Sequence, residues 1–180
     1  MKIIAFTGMP FSGKTEAVKI ARKMNIDIIR MGDIVWEEVK KRGLKLNDKN
    51  VGFVANQMRE EFGKNIWAIK TIEKIKLKYK TPLIGIDGVR NCEEVDIFKK
   101  KIDADFILIA ITCSDDLRHK RALTRHRKDD SKNLKKIKER DKREIAWGIK
   151  EIIKFADIIV SNNESLEDLS IKITDIINDL

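Results

Sequence analysis

The sequence predicts an α/β fold in three layers: a five-stranded parallel sheet with helices on both faces. Three observations predict it. Apolar runs of strand length alternate with longer segments whose apolar residues recur at helical spacing. The runs are continuous, as in strands buried on both faces. The first run passes through a loop bounded by glycines straight into a helical stripe. Strands joined through helices take right-handed crossovers, which makes the sheet parallel.

The first strand is Lys2-Ile3-Ile4-Ala5-Phe6-Thr7, rich in β formers. Gly8-Met9-Pro10-Phe11-Ser12-Gly13-Lys14-Thr15 follows and reads G-x-x-x-x-G-K-T. Consecutive backbone N–H groups there can curl around an anionic phosphate, because glycines permit the curl. The next helix, striped by Ala17, Val18, Ile20, Ala21 and Met24, turns its N-terminal N–H groups and dipole to the same phosphate. Lys14 can reach the β- and γ-phosphates of a nucleoside triphosphate, and Thr15 can offer its hydroxyl to Mg²⁺. A glycine turn that matches by accident is the alternative, but both flanks also fit the motif.

The second strand is Ile26 to Arg30, ending in Met31-Gly32-Asp33. Helices then fill about 33–79. One carries Ile34, Val35 and Val39. The next carries Val51, Val54, Ala55, Met58 and Phe62, with Asn50 as a candidate cap. After a break at Gly63, Ile66, Ile69, Ile72 and Ile75 form a third face. The third strand, Thr81 to Asp87, runs into Gly88-Val89-Arg90. The fourth is Asp105 to Thr112. A helix starts at Asp115, a basic segment follows, and helix resumes through Ile145, Ile149, Ile152 and Ile153. Ala156 to Val160 is the fifth strand. Leu166, Leu169, Ile173, Ile176 and Ile177 stripe the last helix.

At 180 residues the chain is read as a single domain, 1–180, with an insertion at about 33–79 and a lid at about 118–144. The net charge of +9 is local: Leu117 to Arg143 holds 13 Lys plus Arg against 4 Asp plus Glu, the whole excess. Such a segment meets something anionic in one place. The abundance of Lys, Glu and Ile resembles a thermophile's composition. No signal peptide and no membrane span is expected. Cys92 and Cys113 are far apart and read as reduced, packed cysteines of a cytoplasmic protein. Ligands of such sheets bind at the carboxyl ends of strands. That rule selects the phosphate loop, Asp33, and Asp87 with Arg90.

Together these residues resemble the P-loop nucleoside monophosphate kinases, with adenylate kinase and dephospho-coenzyme A kinase as nearest relations. Gly8 to Thr15 matches the phosphate loop. Gly32-Asp33 resembles the pair that opens the acceptor-binding region, and Asp87-Gly88-Val89-Arg90 the Asp-Gly-x-x-Arg stretch after strand three. Arg121 and Arg125 resemble the arginines leading into the lid, and Arg140 and Arg143 those on its returning side. Val160-Ser161-Asn162 is similar to the last strand and the loop near the adenine. The whole chain also resembles an archaeal family of P-loop proteins related to those two kinases. It does so in Thr7-Gly8-Met9-Pro10, Met31-Gly32-Asp33, Ile86 to Arg90, Arg140 to Glu144 and Trp147-Gly148.

The resemblance implies a P-loop NTPase fold with a helical acceptor-binding insertion and a small basic lid. It implies ATP with Mg²⁺, and transfer of the γ-phosphate to a nucleotide or nucleotide-like small acceptor bearing a phosphate. Two departures point away from AMP. Lys14-Thr15-Glu16 stands where adenylate kinases have Gly-Lys-Gly-Thr, and the acceptor region lacks an obvious base-reading sequence. The lid also has no cysteine quartet for zinc. Gly8, Met9, Pro10, Phe11, Ser12 and Gly13 would cradle the phosphates with Lys14 and Thr15, and Asn162 would lie by the adenine. Asp87 is assigned as the outer-sphere partner of Mg²⁺, with an ordinary helix cap as the alternative. Asp33 would orient the acceptor or take its proton, or cap a helix starting at Ile34. Arg90 would hold the acceptor's phosphate through its planar fork, with Arg59 a weaker candidate. Arg121, Arg125, Arg140 and Arg143 would close over the transferring phosphate, assisted by Arg127 and Lys128. Trp36, Trp67 and Trp147 read as packing, and His119 and His126 as surface residues. A reading from another class is a nucleotide-dependent protein that grips RNA or a ribonucleoprotein with the basic segment, which steep salt dependence would reveal. A nucleotide sensor without turnover is the third.

Overall fold

The structure, a computed structural model, describes residues 1–78, 81–124 and 133–180. Among these, five strands form one sheet: β1 (Lys2–Thr7), β2 (Asp27–Arg30), β3 (Leu83–Asp87), β4 (Asp105–Thr112) and β5 (Ile158–Ser161). Their order is β2-β3-β1-β4-β5 and all four pairings are parallel. This is the predicted class. The central strand β1 lies between β3 and β4, where the direction of winding reverses, so a crevice opens at the carboxyl ends of these strands. The register sets its floor: Phe6 lies opposite Asp87, and Arg30 opposite Asp87 on the other side.

The described helices are α1 (Lys14–Lys23), α2 (Met31–Lys41), α3 (Asp48–Phe62), α4 (Ile66–Lys78), α5 (Cys92–Lys101), α6 (Asp115–Thr124), α7 (Leu134–Ala146), α8 (Ile149–Lys154) and α9 (Leu166–Asn178). Side chains alternate across a strand, so β1 feeds two cores. Ile4 and Phe6 join Ile109, Ile111 and Val160 beneath α1 and α9, against Ala17, Val18, Leu169 and Ile173. Ile3 and Ala5 join Ile84, Ile86 and Leu108 against Val35, Val54, Trp67, Phe98 and Ile152 on the opposite face. Both faces being covered explains the unbroken apolar runs. Among the described residues no helix is long and apolar enough to cross a membrane.

Several local expectations are corrected. Asn47, not Asn50, caps α3: its side chain accepts from the Asn50 N–H at 2.9 Å. Helix α2 begins at Met31, so Asp33 lies in its first turn and caps nothing. Helix α5 is absent from the sequence expectations. Its signals are Asn91, which accepts from the Glu94 N–H at 2.8 Å, and the inward Phe98. β3 starts at Leu83, one residue past Pro82, which has no N–H to give a sheet. β5 runs from Ile158 to Ser161. The lid residues Arg125, His126, Arg127 and Lys128 lie outside the described residues.

Candidate active site

The loop from Gly8 to Thr15 is held in shape from behind. Gly8 has φ 144°, and a Cβ there would sit 2.3 Å from the Ile111 carbonyl oxygen. Gly13 has φ 102°, and a Cβ there would sit 1.9 Å from Asn162 Nδ2. Only glycine allows both approaches. Asn162 Nδ2 donates to the Ser12 carbonyl at 2.8 Å, and Arg121 donates to the Asn162 carbonyl at 3.1 Å. Asn162 and Arg121 therefore brace the loop from the β5 side while also lining the cleft.

Arg118 braces it from the other side. It is 2% exposed and donates to the Pro10 carbonyl at 2.9 Å. Its guanidinium forks onto Asp141 of α7 at 3.1 and 2.9 Å and also meets Asp115. Burial works against its charge, but Asp141 and Asp115 raise its pKa above the ordinary value. Phe11 adds an apolar tie, with φ 65° and its ring packed against Ala122 of α6 and Ile137 of α7.

Lys14 donates to Asp87 Oδ1 at 2.6 Å across the strand ends. Arg30 Nε lies 3.5 Å from the other Asp87 oxygen, and Arg30 also pairs with Asp33 at 2.9 Å. Burial would push the Asp87 carboxyl up, but Lys14, Arg30 and Arg90 together hold it below its ordinary value. Asp87 is thus a carboxylate in the floor of the cleft. Asp33 is not among the cleft-lining residues and reaches the floor through Arg30.

Beyond this floor lies a second cationic group. Arg90 donates to Glu144 at 2.7 Å and to the Gly88 carbonyl at 2.7 Å. Arg59 of α3 meets Glu94 at 3.1 Å. Arg143 of α7 meets Asp48 of α3 at 2.7 Å, and Arg140 lies 3.7 Å from the same carboxylate. Gly52 permits that approach, since a Cβ there would sit 2.9 Å from the Arg143 Cζ. Trp147 stands in the middle, with Arg59 at 4.4 Å from its ring and Arg90 and Arg143 each at 5.6 Å.

Loop and arginine group line one cleft of about 560 Å³. Eight basic and four acidic side chains face it, so it favours an anionic ligand. Of the residues singled out from the sequence, Gly8 to Phe11, Gly13 to Thr15, Asp87, Arg90, Arg121, Arg140, Arg143 and Asn162 line it. Ser12 is buried in the loop wall, and Arg125 lies outside the described residues. Arg30, Asp48, Arg118, Glu144 and Trp147 were not legible as site residues. The faint signal for Arg118 was its i,i+3 spacing from Asp115.

The buried carboxylates give stability a two-sided pH dependence. Burial would push Glu144 up, but Arg90, Arg140 and Arg143 hold it below its ordinary 4.5. Its contribution is complete above 4.5 and is lost as pH falls through its lowered value, where the unfolded chain binds more protons. Burial lifts Glu94 above 4.5 despite Arg59 and Arg90. Its contribution is complete below 4.5 and is lost as pH rises through its raised value. Urea midpoints should therefore decline on both sides. Glu94→Gln should flatten the decline on the higher-pH side alone; an unchanged slope there would remove Glu94 as its source.

Residues 7–138 match the family model described as the AAA domain. Over 178 residues the chain is 43% identical to the UPF0200/UPF0201 protein of Archaeoglobus fulgidus, covering 98% of this chain and 55% of that protein. It thus spans about half the length of that relative. Over 167 residues it is 43% identical to a UPF0200 protein of Methanosarcina barkeri, covering 93% of this chain and 89% of the relative. The chain carries the AAA domain and belongs to the UPF0200 family.

This UPF0200 chain is also similar to solved structures. It aligns with TT1252 from Thermus thermophilus at TM-score 0.68 and 16% identity, covering 99% and 97% of the two chains. It aligns with dephospho-CoA kinase from Campylobacter jejuni at TM-score 0.61 and 19% identity, again covering 99% and 97%. These likenesses show the fold, a P-loop kinase-like α/β architecture.

Proposed function

We propose that this UPF0200 protein is an ATP-dependent phosphotransferase that passes the γ-phosphate to a nucleotide or nucleotide-like acceptor bearing a phosphate. One observation carries the reading: a phosphate loop and a separate arginine group line the same cleft. A loop alone would serve a hydrolase. Two cationic subsites in one cavity suit two anionic ligands meeting there. Val35, Trp36, Val51 and Ala55 add an apolar wall that suits a flat organic body.

The loop fits a triphosphate. A Cβ at Gly8 or Gly13 would collide with its surroundings, and the buried Ser12 hydroxyl has no hydrogen-bond partner. Among the described residues no cluster of three or more ligating side chains would cage a metal. Thr15 and, through water, Asp87 would instead hold Mg²⁺ beside the phosphates, as that ion prefers. Bound Mg²⁺ supplies positive charge to the phosphate oxygens.

Lys14 would exchange Asp87 for the β- and γ-phosphates. Arg121 and Arg140 would offset charge on the transferring group, and Arg90 with Arg143 would hold the acceptor. An acceptor oxygen then bonds to the γ-phosphorus as its bond to the bridging oxygen breaks, and ADP leaves. A phosphate acceptor attacks as an anion; a hydroxyl acceptor would pass its proton to Asp87, which lines the cleft where Asp33 does not. The free Cys92 and Cys113 support a reducing, cytoplasmic setting.

The exposed Lys135, Lys136, Lys138 and Lys142 along α7 favour RNA as a second reading. One experiment separates the two. ADP formation is followed with Mg²⁺-ATP against AMP, CMP, UMP, GMP, dephospho-coenzyme A and a short RNA. The expected result is one small acceptor that raises ADP above buffer and is itself phosphorylated. Stimulation by RNA alone would overturn the kinase reading.

A further inference from the structure

Trp147 follows α7 directly and presents its indole to the cleft. Its Nε1–H donates to Asn56 Oδ1 at 2.5 Å, which fixes the ring against α3. Three guanidinium groups surround that ring at 4.4, 5.6 and 5.6 Å. They come from separate parts of the chain: Arg59 from α3, Arg90 from the turn after β3, and Arg143 from α7. Like charges gathered this closely repel one another. Each has a nearest carboxylate partner, Glu94, Glu144 or Asp48, and these come from three different helices. The ring faces all three guanidinium groups, and the buried Glu144 carboxylate attracts all three as well. The ring's negative face attracts cations without accepting a hydrogen bond, so the ring itself occupies none of their N–H donors.

We infer that Trp147 is a positioning residue for the acceptor's phosphate, holding Arg59, Arg90 and Arg143 around one phosphoryl-binding position. The inference rests on the phosphotransferase reading for its purpose, but not for its test. The ring touches no reacting atom. It acts by keeping three donors together before the ligand arrives, so less ordering is left to occur on binding. A phosphate entering the group would draw the guanidinium groups off the ring. Trp147 emission reports that movement.

Inorganic phosphate is the probe, titrated into protein whose phosphate loop is filled with Mg²⁺ and a non-hydrolysable ATP analogue. Binding is read by ³¹P line broadening and by tryptophan emission. Trp147→Leu should weaken phosphate about tenfold and leave affinity for the ATP analogue unchanged. Trp147→Phe, which keeps a π face and loses the N–H, should bind phosphate within about threefold of the unaltered protein. It should also lose the phosphate-dependent emission change. Equal phosphate affinity in Trp147→Leu would overturn the inference. So would a loss in Trp147→Phe as large as in Trp147→Leu, because the tie to Asn56 would then be the active element. Should Trp147→Leu fail to fold, the Phe variant decides alone, by retained affinity without the emission change. If no acceptor is ever phosphorylated but binding still depends on the ring, the phosphotransferase reading fails and the inference stands.

Discussion

Replacing Lys14 by alanine is expected to lower ATP-dependent turnover on the order of 10³-fold. The magnitude follows from the loss of a preorganised charge at the phosphates in a partly enclosed cleft. The structure adds a second consequence. Lys14 is the nearest counter-charge of Asp87, at 2.6 Å, and Arg30 stands off at 3.5 Å. Without the lysine the buried Asp87 loses its main Coulombic support and its pKa should rise. The kcat/KM of Lys14→Ala for ATP, which reports the unliganded protein where Lys14 pairs with Asp87, should therefore decline at a higher pH than that of the unaltered protein as the solution is acidified. Single-turnover ADP formation across pH measures both effects. Turnover within tenfold of the unaltered protein would show that this loop does not carry the chemistry.

Arg118→Met should cost about 3–5 kcal/mol of stability, because it takes the guanidinium fork from a buried Asp141 and leaves that carboxylate facing His119 at 3.0 Å. For a chain of this size that corresponds to a fall in Tm of roughly 6–20 °C. The Pro10 carbonyl loses its donor at the same time, so ATP affinity should fall as well. Adding Asp141→Asn to Arg118→Met should recover part of the stability and none of the affinity. This separates the cost of a carboxylate without its guanidinium from the loss of the loop brace. Thermal melts and nucleotide titrations of the single and double variants test it. A Tm unchanged by Arg118→Met would mean that the fork to Asp141 contributes nothing net.

What could be read in advance was what the chain encodes locally. The phosphate loop is eight consecutive residues with its strand and helix on either side. Asp87 and Arg90 were found because a parallel sheet directs ligands to strand ends. Arg118 was missed because its meaning comes from Pro10 and Asp141, 108 and 23 residues away. Trp147 reads as a packing aromatic until Arg59 and Arg90 are folded against it. Asn50 reads as the cap of α3 in the sequence, whereas the chain starts that helix earlier and gives the role to Asn47. The carboxylate partners of Arg90 and Arg143, each at 2.7 Å, were not legible, because Glu144 and Asp48 lie far from those arginines in sequence.

Phe11 has a mechanical consequence. Its left-handed backbone costs about 1–2 kcal/mol, and burying its ring returns about 1.5–3 kcal/mol. The two nearly cancel, so a glycine at this position would change the melting point little. It would, however, cut a linkage. The Phe11 ring is wedged between α6 and α7, and α7 carries Arg140, Arg143 and Glu144 to the far end of the cleft. The Phe11 ring therefore joins the loop at one end of the cleft to the helix that reaches the other.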